Sequence, residues 1–338
     1  MRALAMFSRF VSFLLSAVYT LCILLLLPSS AVAGPLKTLT FIPQWLPQAQ
    51  FAGYYVAYEK GLYKKRGIDL KILRGGPAFH SDTLLFKKEV DVTTFFLSDA
   101  IQLRNRKIKL VNIGQIVQRS GYMLVAKKGS GIEKPEDLNF KKVGIWEPFR
   151  VQPQAFFRKY NIAATSVVQG TTVNLFLRGG VDAVSAMWYN EYHNILNAGW
   201  NENELTPFFF DRYGLNFPED GIYALEESFK REPGLYCDFV RASVEGWKYA
   251  FDHREEAIDI VMRYAAEAKT RTNRTHQQWM LARMKDLILP EGSSIPMGVL
   301  ESRGYQTVAE ELLKAGLINQ IVPLDRFCVN CLRDGNHD

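Results

Sequence analysis

Two short stretches of this 338-residue chain gather side chains suited to holding a flat, polar molecule. The first follows an apolar run at residues 38–42 and contains Trp45, Gln48 and Gln50. An indole face is a stacking platform, and a Gln amide offers a donor and an acceptor together. The second is the end of "DAVSAMWYNEYHNIL", where Trp188, Tyr189, Asn190 and Glu191 abruptly follow a strand of buried type. No basic residue neighbours Glu191 in sequence, and its carboxylate can meet an amine beside a ring nitrogen bidentately, as it meets a guanidinium. Plainer readings stand beside these. Trp45 also suits core or hinge packing, and Asn190 and Glu191 also suit the cap of the next helix. Tyr54, Tyr55 and Tyr58 share helical spacing with Phe51 and Leu62, so they divide between helix packing and the same pocket.

Further candidates lie at other strand ends. Gly75 and Gly76, before Pro77 and Ala78, either let backbone N–H groups approach a carboxylate, phosphate or carbonyl, or simply make the turn. His80 just after them reads as a surface or capping residue. Ser98 and Asp99 either bond a ligand or cap a helix. In "QIVQRSGY", Gln118 and Arg119 are polar where the chain leaves one unit for another; Arg119 serves equally as an ion-pair partner. Trp146 ends a later strand and is expected to face Trp45.

Reaction chemistry is not written in the chain. It has no GxSxG, Ser-x-x-Lys, HExxH or HxxxH pattern, so no catalytic residue, cofactor or metal ligand is expected. It also lacks a nucleic-acid motif or a long charge run, and the net charge of +6 is too weak to argue for nucleic acid.

The beginning of the chain specifies export. Arg2 and Arg9 precede a charge-free apolar run over residues 10–27, and Ala31-Val32-Ala33 is a small-x-small cleavage site. Residues 1–33 therefore read as a signal peptide, the alternative being a retained anchor. Cys22 follows Thr20 and Leu21, which lack the small residue that lipoprotein processing needs. Removal leaves 305 residues with a net charge of +4, enough for two lobes. Cys237, Cys328 and Cys331 remain; a bridge between Cys328 and Cys331 suits an oxidising compartment, or the two are a plain pair.

Apolar periodicity positions the candidates. Strands are expected at 38–42, 68–72, 90–95, 109–117 and 122–126, with helices at 51–60, 81–88 and 98–104. After the polar break at 127–131, strands at 142–146, 166–169 and 182–187 alternate with helices at 151–160, 172–178 and 191–198. Amphipathic helices follow near 236–251, 255–268, 275–287 and 307–314. This order predicts two α/β lobes with mainly parallel sheets. Residues 34–126 and 222–338 should form lobe I and 127–221 lobe II, joined by a two-crossover hinge whose cleft holds the ligand.

The run W-x-P-x5-G-Y-Y-V-A-x-E-K-G-x-Y from Trp45, the Gly75-Gly76-Pro77 turn, "GQIVQRSGYMLVAKKGSGI" and "NFPEDGIYALEE" resemble the solute-binding proteins of ABC importers. The branch is the one related to thiamine-pyrimidine-precursor synthases and binding proteins, and the likeness covers about residues 38–227. It implies a type II periplasmic binding fold, a monomer in the periplasm or extracytoplasmic space that carries a small heteroaromatic solute, foremost a thiamine-precursor pyrimidine, to a membrane permease. The pyrimidine binders of this family use aromatic and acidic groups at the strand end matched here by residues 188–191. The related synthases carry a Cys-rich iron-binding segment that this chain lacks. A riboflavin-like ring, a sulfonate, and a sensor role acting on a membrane receptor remain the alternatives. Mass spectrometry of the exported protein should find Gly34 at its N-terminus; a retained Arg2 would show the anchored form.

Overall fold

The computed structural model describes residues 35–332, so the expected signal peptide lies outside the described residues. The chain opens with strand β1 (Lys37–Ile42), helix α1 (Ala52–Glu59), β2 (Ile68–Ile72), α2 (Ser81–Phe86), β3 (Val92–Phe95), α3 (Leu97–Asn105) and β4 (Leu110–Gln115). It continues with β5 (Tyr122–Lys127), β6 (Lys142–Ile145), α4 (Val151–Lys159), β7 (Thr165–Val168), α5 (Asn174–Leu177), β8 (Ala183–Met187), α6 (Glu191–Asn197) and β9 (Leu205–Phe209). The last part holds β10 (Gly221–Leu225), then α7 (Glu226–Arg231), α8 (Pro233–Asp252), α9 (Arg254–Glu267), α10 (Arg274–Ile288), α11 (Ser302–Lys314) and α12 (Leu324–Phe327).

Ten strands make two five-stranded sheets, ordered β2-β1-β3-β10-β4 and β7-β6-β8-β5-β9. Strands β3, β8 and β10 are buried along their whole length, as expected of central strands covered by helices on both faces. Each sheet is mixed. Strand β10 runs antiparallel between β3 and β4, and β5 runs antiparallel between β8 and β9.

The lobe boundary differs from the sequence expectation. Residues 122–126 were expected in lobe I, but β5 lies in the second sheet, so the chain crosses over residues 116–121. It returns over 214–220, and β10, read from sequence only as the returning segment, is a strand of the first sheet. The two crossings are tied to each other. Ser120 N donates to Asn216 Oδ1 at 2.8 Å, Asn216 Nδ2 to Gln118 O at 3.0 Å, and Gln115 Nε2 to Glu219 O at 2.7 Å.

Helix α1 shows why the tyrosine run exists. A Cβ on Gly53 would stand 2.2 Å from the Trp247 ring, so glycine is required where α1 crosses α8. Tyr54 packs on Phe41 with ring centroids 4.8 Å apart, Tyr55 stacks on Tyr264 at 4.3 Å, and Tyr58 is exposed. The run is mainly a packing surface.

The cysteine pairing is also corrected. Cys237 of α8 is bonded to Cys331, and Cys328 is a free thiol beside Asn112. The bridge spans 94 residues of sequence and staples the end of the described chain to α8. Closing so long a loop restricts the unfolded chain strongly, and removing a native disulfide typically costs about 2–5 kcal/mol. A non-reducing peptide map should link Cys237 to Cys331, and Cys331→Ser should lower stability by about that amount; a Cys328–Cys331 peptide would contradict the pairing.

Candidate functional site

The ends of β1 and β8 and the return crossing bring polar side chains together between the lobes. After β1, Gln44 donates from its backbone to Thr94 Oγ1 at 3.0 Å and from its side chain to Asp220. Gln48 Nε2 donates to Gln50 Oε1 at 2.6 Å, and Gln50 Nε2 to Asp220 Oδ2 at 2.7 Å. The loop carrying these glutamines is held by α10, since Ala49 N donates to Gln277 Oε1 at 2.6 Å. From the second lobe come Tyr189, Asn190 and Glu191.

Glu191 is buried, and its contacts decide between ligand group and cap. Its Oε2 accepts from Met187 N, in the strand before it, at 3.1 Å; its Oε1 accepts from Asn190 Nδ2 at 2.8 Å. Asn190 stands at the N-cap position of α6 but its side chain makes no cap bond there, turning instead to Glu191.

Glu219 and Asp220, in the return crossing, complete the cluster. Glu219 Oε1 accepts from Gly121 N at 2.6 Å and from Ser120 Oγ at 3.2 Å, while its Oε2 is buried with no hydrogen-bond partner. Burial foremost, then the neighbouring Asp220, raises the Glu219 carboxyl to about 8. Burial raises Asp220 and Glu191 to about 7 each, against the hydrogen bonds they accept. The Tyr189 phenol is pushed well above its ordinary range by burial and then by Glu219, Asp220 and Glu191. None of the three forms an ion pair with Lys or Arg among the described residues.

The other candidates separate. Ser98 lines an interlobe cavity with Phe96, Tyr122, Phe149, Gln152 and Glu219; about 20 Å³ remains there, room for about one water. Neither Ser98 nor Asp99 caps α3, whose N-cap is Phe96. Gly75 makes a turn: a Cβ on it would stand 2.0 Å from Pro43 O and 2.3 Å from Trp45 O. It thus approaches backbone carbonyls, which suits no anion, and Gly76 closes on Leu46. Trp45 is half-buried against the core beside this turn. Trp146 packs in its own lobe on Tyr122 (5.4 Å between centroids) and Phe149, and not on Trp45 as expected. Gln118 braces the hinge, donating to Gln115 O at 2.8 Å and Val299 O at 3.1 Å. Arg119 pairs with Asp211 at 3.3 Å in a separate groove that Trp188 also lines. Among the sequence candidates, then, Gln48 joins the Gln50–Asp220 chain of the first lobe, and Asn190 and Glu191 are bonded to each other on the second. Gln44, Glu219 and Asp220 were missed, although adjacent carboxylates between apolar residues in "NFPEDGIYA" were a readable signal.

The fold is that of periplasmic binding proteins. The periplasmic aliphatic sulphonate binding protein SsuA of Escherichia coli superposes with a TM-score of 0.66 at 15% identity, covering 86% of this chain and 96% of that one. Residues 48–257 match the family described as NMT1/THI5 like, and the chain belongs to it. Among curated relatives, the formylaminopyrimidine-binding protein of Halalkalibacterium halodurans is 21% identical over 69% of this chain and 72% of its own length. A putative thiamine biosynthesis protein of Haemophilus influenzae is 24% identical over 92% and 96% respectively.

The acid cluster sets a pH dependence of stability. Carboxyls raised to about 7–8 favour the protonated folded state, so their contribution is full below the ordinary carboxylate range and is lost as pH rises towards 8. Between pH 6.5 and 8.5 the melting temperature should fall, and Glu219→Gln, neutral throughout, should recover about 2–4 °C of it at pH 8.5. A Glu219→Gln melting curve that follows wild type at both pH values would contradict the assignment.

Proposed function

We propose that the protein is an extracytoplasmic solute-binding protein that closes over a nitrogen-bearing heteroaromatic solute, a thiamine-precursor pyrimidine in the first place, and delivers it to an ABC permease. The observation that carries this is the set of three buried carboxyls, Glu191 from the second lobe and Glu219 and Asp220 from the return crossing, none paired with Lys or Arg among the described residues. Gln44, Gln48 and Gln50 supply amides on the facing lobe. An exocyclic amine donates to one carboxylate oxygen, and a protonated ring nitrogen beside it supplies the second donor and charge complementarity. The formylaminopyrimidine-binding relative supports the same class of solute.

A sulfonate suits this cleft poorly. A buried sulfonate needs a cation or several donors, whereas this cleft gathers carboxyls, and the candidate cation Arg119 is engaged with Asp211 in a separate groove. The likeness to SsuA is one of fold. The groups gathered at the site, carboxyls and amides bonded to one another, suit holding a polar solute, which favours binding over catalysis. In this reading it works outside the cytoplasm as a monomer; the expected signal peptide and the family's periplasmic binding fold support that reading.

Calorimetric titration of the mature chain with 4-amino-5-hydroxymethyl-2-methylpyrimidine tests the reading. Glu191→Gln preserves shape but replaces an acceptor-only group with a mixed one. A charge-assisted bond is worth about 1.5–3 kcal/mol, so affinity should fall by about one to two decades. Undiminished affinity in a folded Glu191→Gln protein would remove the main support. Tight binding of an alkanesulfonate, abolished by Arg119→Ala, would put an anionic solute in its place.

A further inference from the structure

We propose that His276 is a positioning residue: it carries lobe closure to Glu191 through the Asn190 amide, with His193 of the opposite lobe as its proton partner. This rests on the reading of Glu191 as a solute-binding group. His276 sits in the first turn of α10, where its backbone N–H donates to the Asn273 side chain at 2.9 Å. Helix α10 belongs to the first sheet's lobe, holding Ala49 and Gln50 through Gln277 and Met280. Its other face reaches the second lobe, where Trp279 Nε1 donates to Trp188 O at 3.0 Å.

With His276 neutral, one proton arrangement joins Glu191 to His193 as a relay, and in it the Asn197 amide does not donate to His193 Nδ1. Asn190 Nδ2 donates to Glu191 Oε1, so Asn190 Oδ1 faces His276 Nε2, 2.9 Å away, and accepts from it. A neutral His276 then accepts at Nδ1, and His193 Nδ1, 2.8 Å away, must donate. If His276 takes a second proton, two N–H groups meet unless His193 moves its own hydrogen to Nε2. A proton on both rings leaves neither Nδ1 an acceptor. The closed pair therefore holds at most one extra proton, whereas separated rings accept two.

The surroundings do not relieve this. The Trp279 ring stacks on His193 at 4.9 Å, and Asn197 Nδ2 lies 3.2 Å from His193 Nδ1. On α10, Arg274 is tied to Glu255 and Asp259 of α9, and Arg283 covers Trp188 and Trp279 and pairs with Asp286. Tyr192 on α6 faces Trp279, and Glu191, one amide away, is the carboxyl at the end of the relay. Burial first, then His193, pushes His276 down to about 4, and burial lowers His193. A histidine whose closed-state value is depressed favours closure fully above its ordinary value. That contribution is lost as pH falls from about 6.5 towards 4.

Titration of wild type and His276 variants with 4-amino-5-hydroxymethyl-2-methylpyrimidine at pH 7.5 and pH 5 tests the relay. Glutamine at this position keeps an N–H for Asn190 but takes no proton. His276→Gln should bind within about twofold of wild type at pH 7.5 and lose about tenfold less affinity at pH 5, the cleft carboxyls contributing equally to both. His276→Ala should bind about tenfold more weakly at pH 7.5. Superimposable pH profiles of wild type and His276→Gln, or wild-type affinity in His276→Ala, would overturn the relay. If the pyrimidine binds no variant, the solute reading fails, and NMR titration of the histidine ring protons decides the relay alone. Coupled titration of His193 and His276, with His276 well below its ordinary value, supports it; independent titration of both at ordinary values overturns it.

Discussion

Everything at the interlobe face depends on keeping three carboxyl groups out of water without a counter-ion. A buried carboxylate is expensive, and the usual remedy is an arginine or lysine beside it. Here the remedy is distributed. Glu219 takes the Gly121 amide and the Ser120 hydroxyl, Asp220 takes two glutamine amides, and Glu191 takes a strand amide and Asn190. These bonds offset part of the burial cost and leave the groups close to neutrality at physiological pH. A group held at that balance is converted to full charge by a ligand that brings donors or a positive charge, which is how a closing cleft gains selectivity for its solute.

The same bonds make the cluster a report on lobe geometry. Glu219 ties the return crossing to the outgoing one at Ser120 and Gly121, and Asp220 is clasped by the loop after β1. Asn190 is held from the opposite lobe by His276. In the proposed relay, opening the lobes would withdraw His276 from Asn190 and expose Glu191 to water. The surface ion pair between Arg158 of α4 and Glu311 of α11 is a further closing contact at 2.7 Å, but such pairs contribute at most about 1 kcal/mol. Closure is therefore governed by the buried polar network.

Much of the fold was legible because its helices and parallel strands write their periods into the chain. The helices after residue 226 and the alternation from β1 to α3 follow directly from apolar spacing. The lobe boundary was not legible, because a strand's sheet membership depends on partners far away. "YMLVAK" has the same apolar pattern whether it ends one sheet or begins another, and only pairing with β8 and β9 assigns it. The disulfide was hidden for a similar reason: residues 94 positions apart meet, while the near neighbours Cys328 and Cys331 do not pair. At the site, Glu191 stood out as an unpaired acid after a buried strand. Glu219 and Asp220 were passed over because their segment read as a connection. Trp146 packs within its own lobe, since an aromatic at a strand end does so as readily as it faces a cleft, while Trp188 lines the groove of Arg119 and Asp211.

The most direct test is a crystal structure of the mature chain with 4-amino-5-hydroxymethyl-2-methylpyrimidine. The account predicts the ring between the lobes, its amine and adjacent ring nitrogen about 3 Å from the Glu191 carboxyl, and Glu219 or Asp220 engaged from the hinge side. A ring seated in the groove of Arg119, Asp211 and Trp188, with Glu191 still bonded only to Met187 and Asn190, would contradict it.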